Sequence, residues 1–128
     1  MKVLTAEWLA KAEADWNTGG VVFRSRKWPD YDHACFHAQQ CAEKYMKALL
    51  MESGKPVPRT HDLESLLDIL PEKDEKWEAL RPSLGVLSEA AVTSRYPGEF
   101  ADKAAAKKAL ATAGQVRSLA RKQLHLAV

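Results

Sequence analysis

Hydrophobic positions recur at helical spacing almost from one end of this chain to the other. Leu4, Trp8, Ala12 and Trp16 stand four apart and make one stripe, with Thr5 placed to cap the helix that carries it. Gly19-Gly20 costs roughly 1 kcal/mol per residue relative to Ala, but Val21-Val22-Phe23 resumes the apolar run, so the first helix is predicted to continue to about Arg26. Trp28-Pro29-Asp30 then reads as a turn, with Asp30 capping a second helix from about Tyr31 to Ser53. On that helix His33, His37, Gln40, Lys44 and Lys47 fall within about 80° of arc, while Ala34, Ala38, Cys41, Ala42, Tyr45 and Leu49 gather opposite. So wide an apolar arc suits a central helix with several neighbours. Gly54 supplies its C-cap, and Pro56 and Pro58 prevent continuation.

Three further helices follow. Thr60 is expected to cap a short one that buries Leu63, Leu66, Leu67 and Leu70 and closes at Pro71, with Asp62 in its first turn. A fourth, about Glu75 to Thr93, turns Trp77, Leu80, Leu84, Leu87 and Ala91 inward, and Pro82 bends or splits it. Ser94 to Gly98 is a turn, and a fifth helix runs from about Glu99 to Leu124, its small alanine faces suited to close packing. No stretch alternates as a half-buried strand would. The expected fold is all-α: one domain over residues 1–128, an antiparallel up-and-down bundle of about five helices.

Composition narrows the function. A chain that is 46% hydrophobic and 28% charged is neither disordered nor membrane-spanning, since no window of about 18 residues is free of charge. Acids stand where a signal peptide would have its apolar core, which points to the cytoplasm. Cys35 and Cys41 are spaced for neither a redox pair nor a zinc site. From Glu99 onward six Lys/Arg face two acids, a balance of +4, so the first 98 residues carry −2. A basic C-terminal segment fits either a solvated helix or an acidic or phosphate-bearing partner.

Candidate chemistry concentrates in three places. His37, Gln40 and Lys44 lie one turn apart on the polar face of helix two, where Lys supplies charge and His and Gln supply donors; an ordinary solvated face is the alternative. Glu43 and Lys47 stand in the favourable order for a helix ion pair. Arg59 and His61 flank a helix start, where free N–H groups attract anions. Arg95 and Tyr96 pair a phosphate-reaching cation with a base-stacking ring. His33 and His37 are four apart, but no third metal ligand stands in register, and neither a metal nor another cofactor is expected.

The run from Pro29 to Leu50, with its F-H-A-Q-Q-x-A-E-K-x-x-K-A string, resembles the signature helix of HEPN domains. Pro58-Arg59-Thr60-His61-Asp62-Leu63 and Ser94-Arg95-Tyr96-Pro97 match further blocks in the family's order. The resemblance implies a helical bundle similar to the substrate-binding domain of nucleotidyltransferases, nucleotide binding, and pairing with a minimal nucleotidyltransferase. It also implies a homodimer, which would cover the broad apolar arc of helix two. Some HEPN domains are metal-independent endoribonuclease toxins of toxin–antitoxin systems that use an Arg-x(4–6)-His motif. Here Arg26 and His33 match the spacing but straddle the turn before helix two, whereas the nucleolytic motif belongs to a later helix; after Arg95 no His occurs until His125. The expectation is therefore a binding module without catalysis, with RNA cleavage through Arg26 and His33 as the alternative.

Overall fold

The computed structural model describes residues 1–93 and 96–128. Among these residues all regular structure is helical: α1 (Val3–Arg24), α2 (Tyr31–Ser53), α3 (Leu63–Asp68), α4 (Glu75–Glu78), α5 (Arg81–Thr93) and α6 (Lys103–Gln123). The expected fourth helix is two, α4 and α5. Pro82 falls in the first turn of α5, where a missing N–H costs nothing, and Asp74 starts α4 by accepting from the N–H groups of Lys76 and Trp77. The inward residues expected of this region, Trp77, Leu80, Leu84, Leu87 and Ala91, are all buried.

Helix ends follow the caps, and two expected caps shift. Asp30 starts α2 by accepting from the His33 N–H, and Gly54 ends it in the left-handed conformation at φ 79°. Asp102 caps α6, so that helix begins four residues later than the periodicity predicts. Thr5 is not a cap. The Lys2 N–H donates to Glu52 Oε1 at 3.0 Å, which ties the start of α1 to the end of α2 and carries the helix back to Val3 with Thr5 buried inside it. Thr60 is not a cap either: its hydroxyl accepts from the Asp62 N–H, and Asp62 holds the cap position of α3. At the other end of α1, Ser25 leaves the helix and the predicted extension to Arg26 does not form.

One core runs through the bundle, with α2 at its centre. The buried face of α1 is Thr5, Leu9, Ala12, Asp15 and Gly19, so the predicted stripe is rotated: Leu4 is exposed, and Trp8 and Trp16 flank the contact half-buried. On α6 the face is Ala106, Ala109, Ala113, Val116 and Ala120, whose small side chains let the two backbones approach closely. Gly19 is needed for the same reason, because a Cβ there would stand 3.2 Å from both His37 Cβ and Leu110 Cδ2. The apolar arc of α2, the surface that suggested a homodimer, is thus covered within the single chain.

Two contacts fix the direction of the helices. Asp32, in the first turn of α2, accepts from the Ala101 N–H just ahead of α6, and Tyr45 farther down α2 meets Arg121 near the end of α6. Hence α2 and α6 run the same way, and one return leg is not a helix. After Gly54 the chain climbs back along α2 until the His61 carbonyl accepts from Gln39 Nε2 at 2.9 Å, and α3 then descends. One end of the bundle therefore gathers the end of α1, the starts of α2 and α6, and the end of α5.

The two adjacent glycines of α1 should respond oppositely to substitution. Gly19→Val, overpacking a closed contact, is expected to cost about 1–3 kcal/mol in urea unfolding. Gly20→Ala meets only the movable guanidinium of Arg24 and is expected to stabilise by up to about 1 kcal/mol.

Candidate functional site

Beyond His33, which is exposed, the polar face of α2 is packed against α1 and the returning segment. Asp15 of α1 lies between two of the candidates, its Oδ1 2.8 Å from His37 Nδ1 and its Oδ2 2.5 Å from Lys44 Nζ. The carboxylate holds the place an anionic ligand would take, so the charge of Lys44 is met within the fold. Gln40 donates to Gln39 Oε1 at 2.7 Å, and Gln39 Nε2 donates in turn to Glu43.

Glu43 is the centre of a second cluster. It is 3% exposed and its oxygens engage Gln39 at 3.0 Å, Lys47 at 3.1 Å and His61 at 2.9 Å. Lys47, itself 5% exposed, also lies 5.7 Å from the centre of the Trp8 ring. The expected Glu43–Lys47 pair is present, but in the interior. Burial opposes ionisation of Glu43, and the hydrogen bonds from Gln39, His61 and Lys47 outweigh it and hold the carboxyl below its usual range. His61 thus ties the return leg to α2 by its ring, while Arg59 is exposed.

A third cluster joins α1 to α6. Glu13 accepts from Arg117 Nε at 2.7 Å and from the Tyr45 hydroxyl, and Arg121 donates to that hydroxyl at 3.3 Å. Burial opposes ionisation of Glu13 as well, and Arg117 and Tyr45 overcome it and keep its pKa low. Burial, with Glu13 beside it, pushes the Tyr45 hydroxyl up to about 12. Burial likewise pushes Cys35 up to about 11 and Cys41 to about 12, so neither thiol is an available nucleophile.

The two ribonuclease candidates stand in the turn before α2 and in its first turn. Arg26 is exposed in the α1–α2 turn, and His33 Nδ1 lies 2.5 Å from Asp30 Oδ2, on the same carboxylate that caps α2. Tyr96 is exposed beside the end of α5, and Arg95 lies outside the described residues. Among the described residues no three His, Cys, Asp or Glu side chains are grouped to hold a metal, and no helix is long and apolar enough to cross a membrane.

One arrangement was missed by the sequence reading. A cleft of about 370 Å3 opens between α1 and α6, walled by Trp16, Phe23 and Leu110, with Asn17, Arg24 and Lys107 at its rim. Gly20 forms its floor, and Arg24 lies back across that glycine, where a Cβ would come within 2.8 Å of a guanidinium nitrogen. Neither Arg24 nor Lys107 makes an ion pair among the described residues. The signal in the sequence was weak: the aromatics sit on a stripe that reads as core, and Lys107 is eighty-three residues from Arg24.

The HEPN domain profile matches residues 5–123, which is nearly the whole chain. The chain belongs to the HEPN domain family. Its fold is similar to the crystal structure of TT1696 from Thermus thermophilus, at 26% identity and a TM-score of 0.78, covering 92% of this chain and 96% of that one. It is also similar to ST0689, an archaeal HEPN homologue, at 24% identity and a TM-score of 0.75, covering 96% and 98%. No curated protein matches the chain. In this HEPN domain, the signature string on α2 therefore has visible structural work: His37 and Lys44 hold α1 through Asp15, Gln39 and Glu43 hold the return leg through His61, and Lys47 pairs with Glu43 beside the Trp8 ring of α1.

Removing one member of the interior pair should expose that role. Glu43→Gln leaves Lys47 buried and unpaired and is expected to cost about 3–5 kcal/mol, with Glu43→Gln/Lys47→Met recovering most of it in urea unfolding. The low pKa values of Glu13 and Glu43 also set a pH dependence. Their contribution is present above the unfolded carboxyl value near 4.5 and is lost as pH falls through the lower folded values. Tyr45 acts on the alkaline side: its contribution is complete below about 10 and is lost as pH rises toward about 12. Urea midpoints measured from pH 2 to 12 should decline at both ends, and Tyr45→Phe should flatten the alkaline decline.

Proposed function

We propose that this HEPN domain is a nucleotide-binding module without catalysis of its own, and that the nucleotide occupies the α1/α6 cleft. One observation supports the reading: two aromatic walls and two cations that make no ion pair among the described residues share one cleft of about 370 Å3. That volume lies in the range of small-molecule sites, about 300–1,000 Å3, and apolar walls with a few polar groups are their usual chemistry. A base would lie against Phe23 and Trp16, Asn17 would offer a donor and an acceptor to its edge, and Arg24 and Lys107 would take the phosphates. The α2 stripe then serves the fold rather than the ligand. The proposed protein partner is a minimal nucleotidyltransferase, which would supply the transfer chemistry.

Calorimetric titration with ATP and GTP tests the assignment. Arg24→Glu and Lys107→Glu are each expected to weaken binding at least about tenfold, roughly 1.4 kcal/mol. Lys44→Ala should lower the unfolding midpoint but change affinity by less than about twofold. If Lys44→Ala abolishes binding and the cleft variants do not, the nucleotide belongs on the α2 stripe.

A further inference from the structure

Gly19 and Gly20 are adjacent on α1, and the packing of helices accounts for only the first. A Cβ at Gly19 would stand 3.2 Å from His37 Cβ and from Leu110 Cδ2, so α2 and α6 require it. At Gly20 the three atoms nearest to such a Cβ belong to one movable side chain: the two terminal nitrogens of Arg24 at 2.8 and 3.3 Å, and its Cζ at 3.4 Å. Arg24 stands four positions on, and helical side chains lean toward the N-terminus, so its guanidinium lies back over the glycine. Inside a helix glycine is the least favourable residue after proline. What Gly20 provides in return is a seat, a strip of bare backbone on which a flat cation rests.

That seat is the floor of the α1/α6 cleft. Trp16, Phe23 and Leu110 wall it, so the guanidinium lies where a planar ligand ring would lie. A guanidinium suits the place, being flat, delocalised and weakly hydrated. Nothing fixes it there: among the described residues Arg24 makes neither an ion pair nor a side-chain hydrogen bond. Arg117, whose Cζ is 5.6 Å from the centre of the Trp16 ring, is by contrast bound to Glu13. Arg24 is also the last residue of α1 and is exposed, and Ser25 leaves the helix, so the side chain has room to swing outward.

We infer that Arg24 makes this cleft selective for phosphorylated ligands: seated on Gly20 it occupies the place of the ring, and a phosphate draws it off. An uncharged ring would have to displace the guanidinium and would offer it nothing. A ring that carries phosphate offers a charge-assisted, bidentate partner at the mouth, so the floor is vacated and the cation engaged in one movement. A ligand shifts such an equilibrium only by binding one state better than the other, and the phosphate supplies that difference. Lys107 lies across the cleft on α6 and adds charge only. The inference rests on the cleft's being a nucleotide site and names the form of nucleotide it accepts.

Calorimetric titration with ATP and with adenosine tests this. Wild type is expected to prefer ATP. In Arg24→Ala, whose fold is checked by circular dichroism, adenosine should bind about threefold more tightly because its competitor is gone. ATP should bind about fivefold more weakly for want of the guanidinium. The preference for ATP thus falls about fifteenfold, with the two ligands moving in opposite directions. Lys107→Ala is expected to weaken ATP and leave adenosine unchanged, as a cation that meets only the phosphate must. Adenosine affinity that is unchanged or reduced in Arg24→Ala, or too low to detect in both proteins, overturns the inference.

The seat is also visible without a ligand. Nitrogen-15 relaxation should find the Arg24 Nε–H ordered in the empty protein and the Nε–H of the exposed Arg59 mobile on the ps–ns scale. Gly20→Ala should release Arg24 to the mobility of Arg59, because its Cβ would come within 2.8 Å of a guanidinium nitrogen. An Arg24 as mobile as Arg59 in wild type overturns the inference even if ATP binds, and leaves the nucleotide site standing. An ordered Arg24 in a protein that binds neither ATP nor adenosine removes the nucleotide site and the selectivity with it.

Discussion

The packing of α2 against four other helices is the constraint on which the rest of this bundle depends. A helix with one wet face can leave its polar residues to water. A helix surrounded by neighbours must bring a partner to each of them, because an unpaired charge in the interior costs several kcal/mol. Asp15 answers His37 and Lys44, and Glu43 answers Lys47, His61 and Gln39. Each answer also positions an element: Asp15 sets the rotation of α1, and Glu43 sets the height of the return leg. Polar pairing here orients helices that the hydrophobic effect, which has no direction, only brings together.

Much of the fold was legible because its signals are local. Asp30, Gly54 and Pro82 act on the backbone within a turn of where they stand, and the caps and the split they cause follow from chain chemistry. The leucines of α3 and the inward face of α5 follow from periodicity. The signature string on α2 identified the family before any geometry was known. What could not be read was the environment of the polar face. At 3.6 residues per turn, a stripe of His, Gln and Lys looks the same whether it meets water or a carboxylate twenty-two to twenty-nine residues away. The rotation of the α1 stripe has the same origin: Asp15 is buried because α2 needs it, and Leu4 is exposed because α1 turned to supply it.

The candidate site was less legible than the fold. Trp16 and Phe23 look like core on a helical wheel, and Arg24 and Lys107 look like ordinary solvated cations. Only the close approach of α1 and α6, permitted by Gly19 and by Gly114 against the Trp16 ring, turns them into one cleft. Two glycines that cost helix propensity locally are repaid in shape at a distance. Propensity acts over one turn, whereas packing joins residues a hundred positions apart, and function in this bundle lies at that longer range.

The extended return leg constrains which lengths of this chain are permitted. Gly54 stands eleven positions beyond Glu43, a rise of about 16 Å along α2. The seven residues from Lys55 to His61 reach about 23 Å when extended. Removing two would leave about 16 Å, the axial height alone, with nothing to step sideways around the helix. The leg can therefore lengthen but not shorten, and sequence drift in this segment should run one way. Among descendants of this fold, insertions before His61 should survive and deletions should be rare, while the joint between α5 and α6, which spans no such height, should vary in both directions.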